Sequence, residues 1–590
     1  MTPPTRRPCD GRSRSWRAPR WLLAAVPALA AAQQAVLVDN DAALRAFAAQ
    51  REPSFDFRAL PQVEAFGAGV AIDDNTPGLR IAAVTEVRRV ASTASSLQSP
   101  WREGTFGRVL VQGQWYEVSD ASVQSWGIGS ATFGNDRAIL SQSDGFVHSF
   151  QVGRSTRGWS LMAGDVQPQF STLGTSLPLR GVLAQVAGPS SVFSATAGTL
   201  AHTWQGLFGE TIRPTYLRDV AALKLEYWAD PRTSVFAAAQ RFQDRNSGNL
   251  DPQRIAQPLV RGSGFSAGAR YADTLGSGLQ RELAGEWARS RSRAEGQPWQ
   301  YGQARVLDGS LQWPSAGLRG GWHRIDPDYA SPSSQAVAGL HELYVGADWR
   351  PISTLGLSAD LRTLRSTVAA AVADGVETAQ RRSDATTLLA NLSLARWLPG
   401  LSADASHYRV DTVTPSVGGT LAGQAVQRYD RINLNQSIGG WSAAVGALRY
   451  GARDRYLIDT ESSTAGWDVR LGRFFAHSGG AGHGWFNASL ARQHQSRDGV
   501  AQHRTRQAQA WAGAQLADRW SANLALGETR LTHEGTGLST RLRQLSLDAR
   551  MALASNAGVT GFMRIEQSDS ESTPLRYRST QGGLQLVLRY

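Results

Sequence analysis

One short motif in this sequence has the residue types of a hydrolytic site but lacks the setting that such a site needs. Gly264-Phe265-Ser266-Ala267-Gly268 matches the G-x-S-x-G pattern of a nucleophilic serine, which sits on a turn between a strand and a helix. Here the five residues run into an alternating, strand-like stretch, and no base for Ser266 can be identified. The ten histidines are scattered, and neither an H-E-x-x-H nor a Walker A motif occurs. We therefore expect no enzyme activity, no catalytic residue, no cofactor and no resident metal ion.

Charged side chains that alternate with apolar ones are more informative. In 544–553, Leu545 and Leu547 alternate with Asp548 and Arg550, and a period of two residues is that of a β-strand with two unlike faces. The same period recurs in 223–227, 343–349, 355–362 and 467–471. We expect the charged members to face a lumen. These predicted lumen-facing residues are Lys224, Glu226, Asp348, Asp360, Arg362, Asp468, Arg470, Asp548 and Arg550.

Apolar and polar residues alternate in the strands of a membrane barrel and of a soluble sandwich alike. Strand length and the order of the connections distinguish the two folds. From about residue 220, two alternating runs of 9–14 residues are joined by a turn and followed by a longer polar loop, again and again. Crossing a bilayer with tilt needs ~9–11 residues, whereas soluble strands usually have ~5–6. Short periplasmic turns that alternate with long outer loops are typical of membrane barrels. The long loops are predicted to include 366–384 and 496–505, and the short turns 350–354 and 439–440.

Tryptophans mark one end of these strands. Trp349, Trp397, Trp441, Trp485 and Trp520 all adjoin predicted short turns. Amphipathic rings prefer the headgroup level of a bilayer. Any one of them alone could be ordinary packing, but their shared position favours an interfacial girdle.

The composition argues against several other classes of protein. Mean hydropathy is −0.30, and no run after residue 32 approaches the ~18 apolar residues of a spanning helix. A barrel is compatible with low hydropathy, because only alternate residues face lipid. The net charge is +12, but the arginines are spread through the whole chain rather than clustered on one face, which argues against a nucleic-acid partner.

The N-terminus has the plan of a secretory signal. Residues 5–20 are rich in arginine, residues 21–32 are apolar, and Ala30 and Ala32 occupy the −3 and −1 positions for cleavage before Gln33. The single cysteine, Cys9, precedes the apolar run, so the mature chain would contain none. Residues 33–100 show no clear period apart from weak strands near 68–72 and 79–90. We expect 1–32 to be a signal peptide, 33–100 a periplasmic segment or partial plug, and 101–590 the barrel.

The last seven residues resemble the terminal strand of bacterial outer-membrane barrels. Leu584, Leu586, Leu588 and Tyr590 share one strand face, and the last residue is aromatic. In that family the barrel-assembly machinery reads this pattern, usually with Phe at the end. The resemblance implies the same role for these four residues and a location in the bacterial outer membrane.

A stretch of about 20 residues, from Gly164-Asp165 to Arg180-Gly181-Val182, resembles a segment of fimbrial ushers and of other large barrels. Ushers carry folded domains after the barrel, whereas this chain ends on a barrel strand, so the resemblance does not imply a standard usher. The alternative is an ordinary loop in which Gly181 permits a tight bend.

The number of strands is limited by parity. We count about 19 strands from residue 220 to the end, and the last must run towards the periplasm. Because single-chain bacterial barrels have an even number of strands, an odd number must lie upstream. The upstream candidates are 106–118, 124–132, 143–153, 158–165, 180–187 and 191–205. The predicted fold class is all-β, a transmembrane antiparallel up-and-down β-barrel of about 24–26 strands within a range of 20–26.

A barrel of this width leaves a lumen that its own side chains cannot fill. The leading hypothesis is an outer-membrane channel or export conduit for a bulky solute, a polysaccharide or a secreted chain. Its expected partners are outer-membrane lipid, the barrel-assembly machinery and periplasmic export partners. The alternative is a barrel-anchored surface or assembly protein that acts through its extracellular loops. A TonB-dependent receptor would need a longer N-terminal plug than 33–100 offers.

Overall fold

A computed structural model describes most of the chain after residue 76. The described residues are 77–92, 103–120, 123–135, 145–200, 204, 217–245, 259–276, 278–332, 338–372, 375–416, 422–455, 459–476, 482–516, 519–554, 556–571 and 576–589. Within these ranges no helix is long and apolar enough to cross a membrane. The predicted signal peptide, with Ala30 and Ala32, lies outside the described residues.

The described residues form 26 strands. Their bounds are β1 Gly78–Ser92, β2 Gly104–Asp120, β3 Val123–Gly134, β4 Gly145–Ser155, β5 Trp159–Val166, β6 Leu179–Ala187, β7 Ser191–Leu200, β8 Leu217–Asp230, β9 Thr233–Arg245, β10 Val260–Thr274, β11 Gln280–Ala294, β12 Gln300–Gln312, β13 Ala316–Ile325, β14 Leu340–Ile352, β15 Leu355–Val372, β16 Gly375–Ser393, β17 Leu401–Thr414, β18 Gly423–Ile438, β19 Trp441–Arg455, β20 Asp459–Ala476, β21 Gly482–Arg497, β22 Val500–Leu516, β23 Trp520–His533, β24 Ser539–Ala554, β25 Ala557–Ser570 and β26 Tyr577–Arg589.

The sheet is a closed, antiparallel, up-and-down barrel. Each strand pairs with the next one along the chain, and β26 pairs with both β25 and β1. The predicted fold class is confirmed, and the count of 26 is even and lies within the expected range. The 19 strands counted from residue 220 are β8 to β26. The odd number required upstream is seven, β1 to β7.

The barrel begins earlier than the sequence indicated. Gly78–Ser92 forms β1 and pairs on both sides, so the predicted boundary at residue 101 was wrong. The period of this strand is weak because its two faces are less different than elsewhere: Val84 and Val90 are buried on the same face as the charged Glu86, while Val87 is exposed on the other face. The rest of the predicted 33–100 segment falls mainly outside the described residues.

The outer face of the barrel is apolar. Leu223, Leu361 and Leu547 are among its many large exposed hydrophobic side chains, as an outer wall in contact with lipid requires. The terminal strand contributes to it, since Leu584 is 64% exposed, Leu586 36% and Leu588 46%. Tyr590 lies outside the described residues. The role of these residues in assembly stays a prediction.

Short connections gather at one end of the barrel together with the predicted tryptophan girdle. Two-residue turns join β14 to β15 at 353–354 and β18 to β19 at 439–440, and Trp349, Trp397, Trp441 and Trp520 are exposed near such turns. Trp485 is an exception: it is opposite Gly513, which shares a face with Asn523 and Asp548, so its ring lies on the other face from Trp520 and the prediction that it belongs to the girdle was wrong. The C-terminal strand ends at this side, which we therefore take as periplasmic.

Two of the predicted outer loops were wrong. Within 366–384, β15 and β16 continue their pairing to Val372 and Gly375, and within 496–505 a turn at 498–499 joins β21 to β22. These hairpins extend past the apolar band, where both faces of a strand meet water and the alternation of apolar and polar residues fades. Backbone pairing continues there without the sequence signal by which strands are identified.

Candidate functional site: the inner face of the barrel

One face of the sheet can be followed through all 26 strands and back to its start. Residues directly opposite each other on neighbouring strands share a face. Glu86 of β1 shares this face with Arg108 of β2 and, further along the chain, with Lys224 of β8. The circuit closes at β26, where Gly583 is opposite Arg88 of β1. All nine predicted lumen-facing residues fall on it, opposite the exposed leucines and valines. We call it the inner face; the part that these residues play in transport stays a prediction.

Several of the predicted charges form ion pairs across neighbouring strands. Arg319 of β13 donates to Asp348 of β14 at 3.3 Å and to Asp360 of β15 at 2.6 Å. Arg319 therefore connects two predicted residues, although the sequence did not single it out. Its stretch, Gly317–Gly321, is too rich in glycine to display a clear alternation.

A second cluster lies beside this one. Glu342 has only 1% of its side chain exposed, and its carboxylate meets Nε of Arg362 at 2.5 Å and Nδ1 of His323 at 3.1 Å. The other ring nitrogen of His323, Nε2, lies 2.8 Å from Asp308, which also accepts a hydrogen bond from the Tyr344 hydroxyl at 2.7 Å. A buried carboxylate is stable only when it is paired and hydrogen-bonded. This network supplies both conditions and links four strands, β12 to β15.

The remaining predicted residues are paired more locally. Lys224 and Glu226 form an ion pair of 2.7 Å along β8. Asp468 meets Arg470 at 2.9 Å and Arg431 of β18 at 3.6 Å.

At the last two predicted positions, on β24, Asp548 accepts a hydrogen bond from Ser546 at 3.4 Å, and Arg550 is exposed. The sequence therefore identified the face on which these residues lie, but not which of them meet.

Residues 167–178, between β5 and β6, lie on the inner face outside the strands; we call them the inward segment. The backbone N–H groups of Thr172 and Leu173 donate to the carboxylate of Glu286 on β11, at 2.9 and 3.2 Å. The Tyr329 hydroxyl, from the β13–β14 loop, donates to the Leu173 carbonyl at 2.7 Å. Thr175 donates to Gln240 on β9 at 2.9 Å. The segment thus lies against the inner face of several strands rather than projecting from the barrel.

Apolar contacts hold the same segment at two positions, Phe170 and Leu173. Phe170 is buried with Val166, Leu179 and Phe242. Leu173, which is 1% exposed, is buried in a second cluster with Val306 and Leu340 among others.

Tyr329 belongs to this second cluster. Burial, together with the charge of Glu286, raises the pKa of Tyr329, so its hydroxyl remains a hydrogen-bond donor at neutral pH. The segment is therefore held to the inner wall by apolar as well as polar contacts.

Two glycines allow the strands that flank the segment to approach closely. Gly164 has φ of +109°, a conformation that other residues rarely adopt. Gly181 is opposite Gly164, and a Cβ added there would lie 2.1 Å from the carbonyl oxygen of Ala197 on β7. Asp165 and Arg180, the charged members of the usher-like stretch, meet at 3.5 Å. The stretch is therefore more than an ordinary loop with one tight bend, because it returns into the barrel.

The G-x-S-x-G match has no nucleophile elbow. Ser266 lies in the middle of β10 and is 3% exposed. Its hydroxyl meets that of Ser171 in the inward segment at 3.2 Å. Ser266 therefore packs against the inward segment, and in the part of the chain that the structure describes no group of three potential metal ligands occurs.

A closed antiparallel barrel with an apolar outer face and a polar, ion-paired inner face defines this chain as a large transmembrane β-barrel of the bacterial outer membrane. No protein-family model matches the sequence, and no curated protein matches it either.

Solved structures with a similar fold are outer-membrane proteins. The siderophore receptor PirA from Pseudomonas aeruginosa is 12% identical, with a TM-score of 0.41 over 88% of this chain and 81% of the receptor. The translocation pore of the P pilus usher PapC is 10% identical, with a TM-score of 0.35 over 86% and 99%. OccK3 from Pseudomonas aeruginosa is 14% identical, with a TM-score of 0.28 over 70% and 96%. Likenesses of this degree concern the fold alone.

Proposed function

We propose that this barrel is an outer-membrane channel or export conduit for a bulky solute, a polysaccharide or a secreted chain. The observation that carries the proposal is the continuous polar inner face of a 26-stranded wall. With ~4.8 Å between strands and a tilt of ~40°, such a wall is roughly 50 Å across if it is circular. Wall side chains cannot fill that width, so a pathway lined by the inner face is the simplest use of the fold.

The balance of charge on the inner face favours a cargo that is not a simple ion. Asp348 and Asp360 share Arg319, and Glu342 is paired with Arg362. Because these charges compensate each other across neighbouring strands, they leave little net field to attract ions of one sign. A neutral or mixed polar cargo fits such a wall better than an ion of one charge.

A row of tyrosines favours a carbohydrate within that class. Tyr408, Tyr429 and Tyr450 lie directly opposite one another on the inner face of β17, β18 and β19. Tyrosine combines an apolar ring with a polar hydroxyl, and sugar rings present the same combination. This row is on a different part of the wall from the inward segment, which contacts β9 to β11 and the β13–β14 loop.

Conductance of the refolded full chain in a planar bilayer tests the proposal. We expect large, stable openings, and a concentration-dependent block by a long neutral oligosaccharide. The block should weaken when Tyr429 is changed to Ala, with Tyr301→Ala on the exposed outer face as the matched control. A silent bilayer at all voltages would contradict the channel.

A second candidate is a surface or assembly protein, and the long hairpins favour it. β15 and β16 have 18 and 19 residues, more than the ~9–11 that a bilayer crossing needs. Shortening this hairpin at both strands should leave conductance unchanged but abolish attachment to a surface or partner if the loops carry the function. Unchanged attachment by the shortened variant would count against this candidate.

A further inference from the structure

Four arginines form a continuous row on the outer face of the barrel. Arg492 of β21 is directly opposite Arg506 of β22, which is opposite Arg530 of β23, which is opposite Arg541 of β24. We call these four residues the arginine row. Like charges directly opposite each other on neighbouring strands destabilise a sheet. A row of this kind therefore needs compensation by negative charge.

The protein supplies that charge only at one end of the row. Arg541 meets Glu528 at 2.5 Å. Arg492, Arg506 and Arg530 are exposed, and among the described residues none of these three forms an ion pair.

The neighbouring charged groups are already paired with each other. Glu528 also meets Arg543 at 3.4 Å, and Arg543 lies 3.9 Å from Asp569. On the loop side, Arg504 and His494 share Glu534, at 3.0 and 3.7 Å. The unpaired three-arginine part of the row is thus an exposed positive patch.

The height of the row matches the outer edge of the bilayer. Trp520, at the periplasmic girdle, and Arg530 are ten residues apart on β23. At ~3.3 Å per residue and a tilt of ~40°, their separation along the membrane normal is roughly 25 Å. The apolar band of such barrels has about that height. Arg530, within the row, therefore lies at the level of the headgroups in the outer leaflet.

An apolar groove runs down the outer face directly below the row. Its volume is about 440 Å³, and its lining includes Ala508, Ala510, Leu526, Leu545 and Ile565. The small Ala510 of β22 lies opposite the larger Leu526 of β23, which leaves space for the groove. Its position beside Glu528 and Arg543 places the upper end of the groove next to the arginine row.

We propose that the arginine row and this groove together bind a phosphorylated lipid of the outer leaflet, with its phosphate on the arginines and an acyl chain in the groove. Guanidinium groups form charge-assisted, often bidentate hydrogen bonds with phosphate. The lipid phosphate supplies the negative charge that the sheet lacks at Arg492, Arg506 and Arg530. This site faces away from the lumen, so it is independent of the channel proposal.

The test measures, by native mass spectrometry, how strongly the full-length protein in detergent binds a lipid with phosphates and the same lipid without them. The probe is bis-phosphorylated, hexa-acylated lipid A, and the same lipid without its phosphates is the reference. We expect the wild-type protein to prefer the phosphorylated form by about tenfold or more, a difference of ~1.4 kcal/mol, because removal of the phosphates removes the charge-assisted hydrogen bonds to the arginines. Equal binding of the two forms by the wild-type protein would overturn the proposal without any variant.

Variants then locate the site. Arg506→Gln with Arg530→Gln should remove the preference, whereas Arg506→Lys with Arg530→Lys should retain most of it. The matched control is Arg409→Gln with Arg428→Gln, which removes two outward arginines already paired to Asp411 and Asp430.

Ala510→Trp fills the groove without changing charge and should weaken binding of the phosphorylated lipid. All variants are compared for heat-modifiable migration, and conductance should be unchanged in each. Loss of the preference in the control pair, or its survival in the Gln pair, would contradict the assignment.

Discussion

Releasing the inward segment should open the barrel further. Among the polar groups that hold the segment to other parts of the chain, Glu286 accepts from two of its backbone N–H groups and Tyr329 donates to the Leu173 carbonyl. The double variant Glu286→Gln, Tyr329→Phe removes a charge and a hydroxyl while it preserves side-chain size. If the segment narrows the pathway, this variant should show a larger or noisier conductance than the wild-type protein.

The size of the effect follows from the bonds that are lost. A hydrogen bond to a charged group contributes ~1.5–3 kcal/mol and a neutral one ~0.5–1.5 kcal/mol. If the Glu286 carboxylate and the Tyr329 hydroxyl are each counted as one hydrogen bond, the double variant reduces the free energy that holds the segment in place by about 2–4.5 kcal/mol. The ratio of released to docked segment therefore rises roughly 30-fold to 2,000-fold, since ~1.4 kcal/mol is a factor of ten. Burial of Leu173 in its own cluster still opposes release.

A disulfide provides the internal control for this experiment. The Oγ atoms of Ser171 and Ser266 are 3.2 Å apart, close enough for a disulfide between cysteines at these positions. The only native cysteine, Cys9, lies in the predicted signal peptide. In the double variant that also carries Ser171→Cys and Ser266→Cys, oxidation should restore wild-type conductance and reduction should raise it again.

The matched control is Glu226→Gln, which removes one negative charge from the inner face at an ion pair with Lys224. It should change conductance little. If the released variant conducts like the wild-type protein in both redox states, the inward segment does not narrow the pathway.

Three further outcomes follow from the geometry. Deleting 584–590 should prevent assembly, because β26 closes the barrel against β1; normal heat-modifiable migration of the truncated protein would count against this. Gly181→Val should destabilise the fold by at least ~2 kcal/mol, because a Cβ there would lie 2.1 Å from a backbone oxygen of β7; denaturant midpoints measure this. Arg319→Ala should make the channel more selective for cations, because Asp348 and Asp360 lose their shared partner; reversal potentials in a salt gradient measure this.

The sequence predicted the wall of the barrel well because each strand carries its own evidence. In β24, Leu545 and Leu547 are apolar while Asp548 and Arg550 are charged, so the period of two indicates both the strand and its orientation. The same rule gave only a weak strand near 79–90 and left it outside the barrel, because the buried valines of β1 share a face with Glu86. Wherever both faces contain apolar residues, or both contain polar ones, the local pattern no longer distinguishes inside from outside.

The inward segment could not have been predicted from the sequence in the same way. Leu173 meets Glu286 and Tyr329, which are 113 and 156 residues away in the chain. No local period encodes a contact of that separation. The stretch from Gly164 to Val182 resembled a segment of other large barrels, but that resemblance did not indicate that the loop folds inward.

Arg319 and the arginine row show that the role of an arginine in this barrel depends on strand register rather than on residue type. Arg319 and Arg506 are the same residue type, and the sequence gives no reason to separate them. Register places two carboxylates within reach of Arg319 on the inner face, so its charge is compensated by the protein. Register places Arg492 and Arg530 on either side of Arg506 on the outer face, so its charge must be compensated from outside. The ion pairs of Arg319 reduce the net electric field in the lumen. The arginine row leaves positive charge on the outer face, where the phosphate of the proposed lipid would neutralise it.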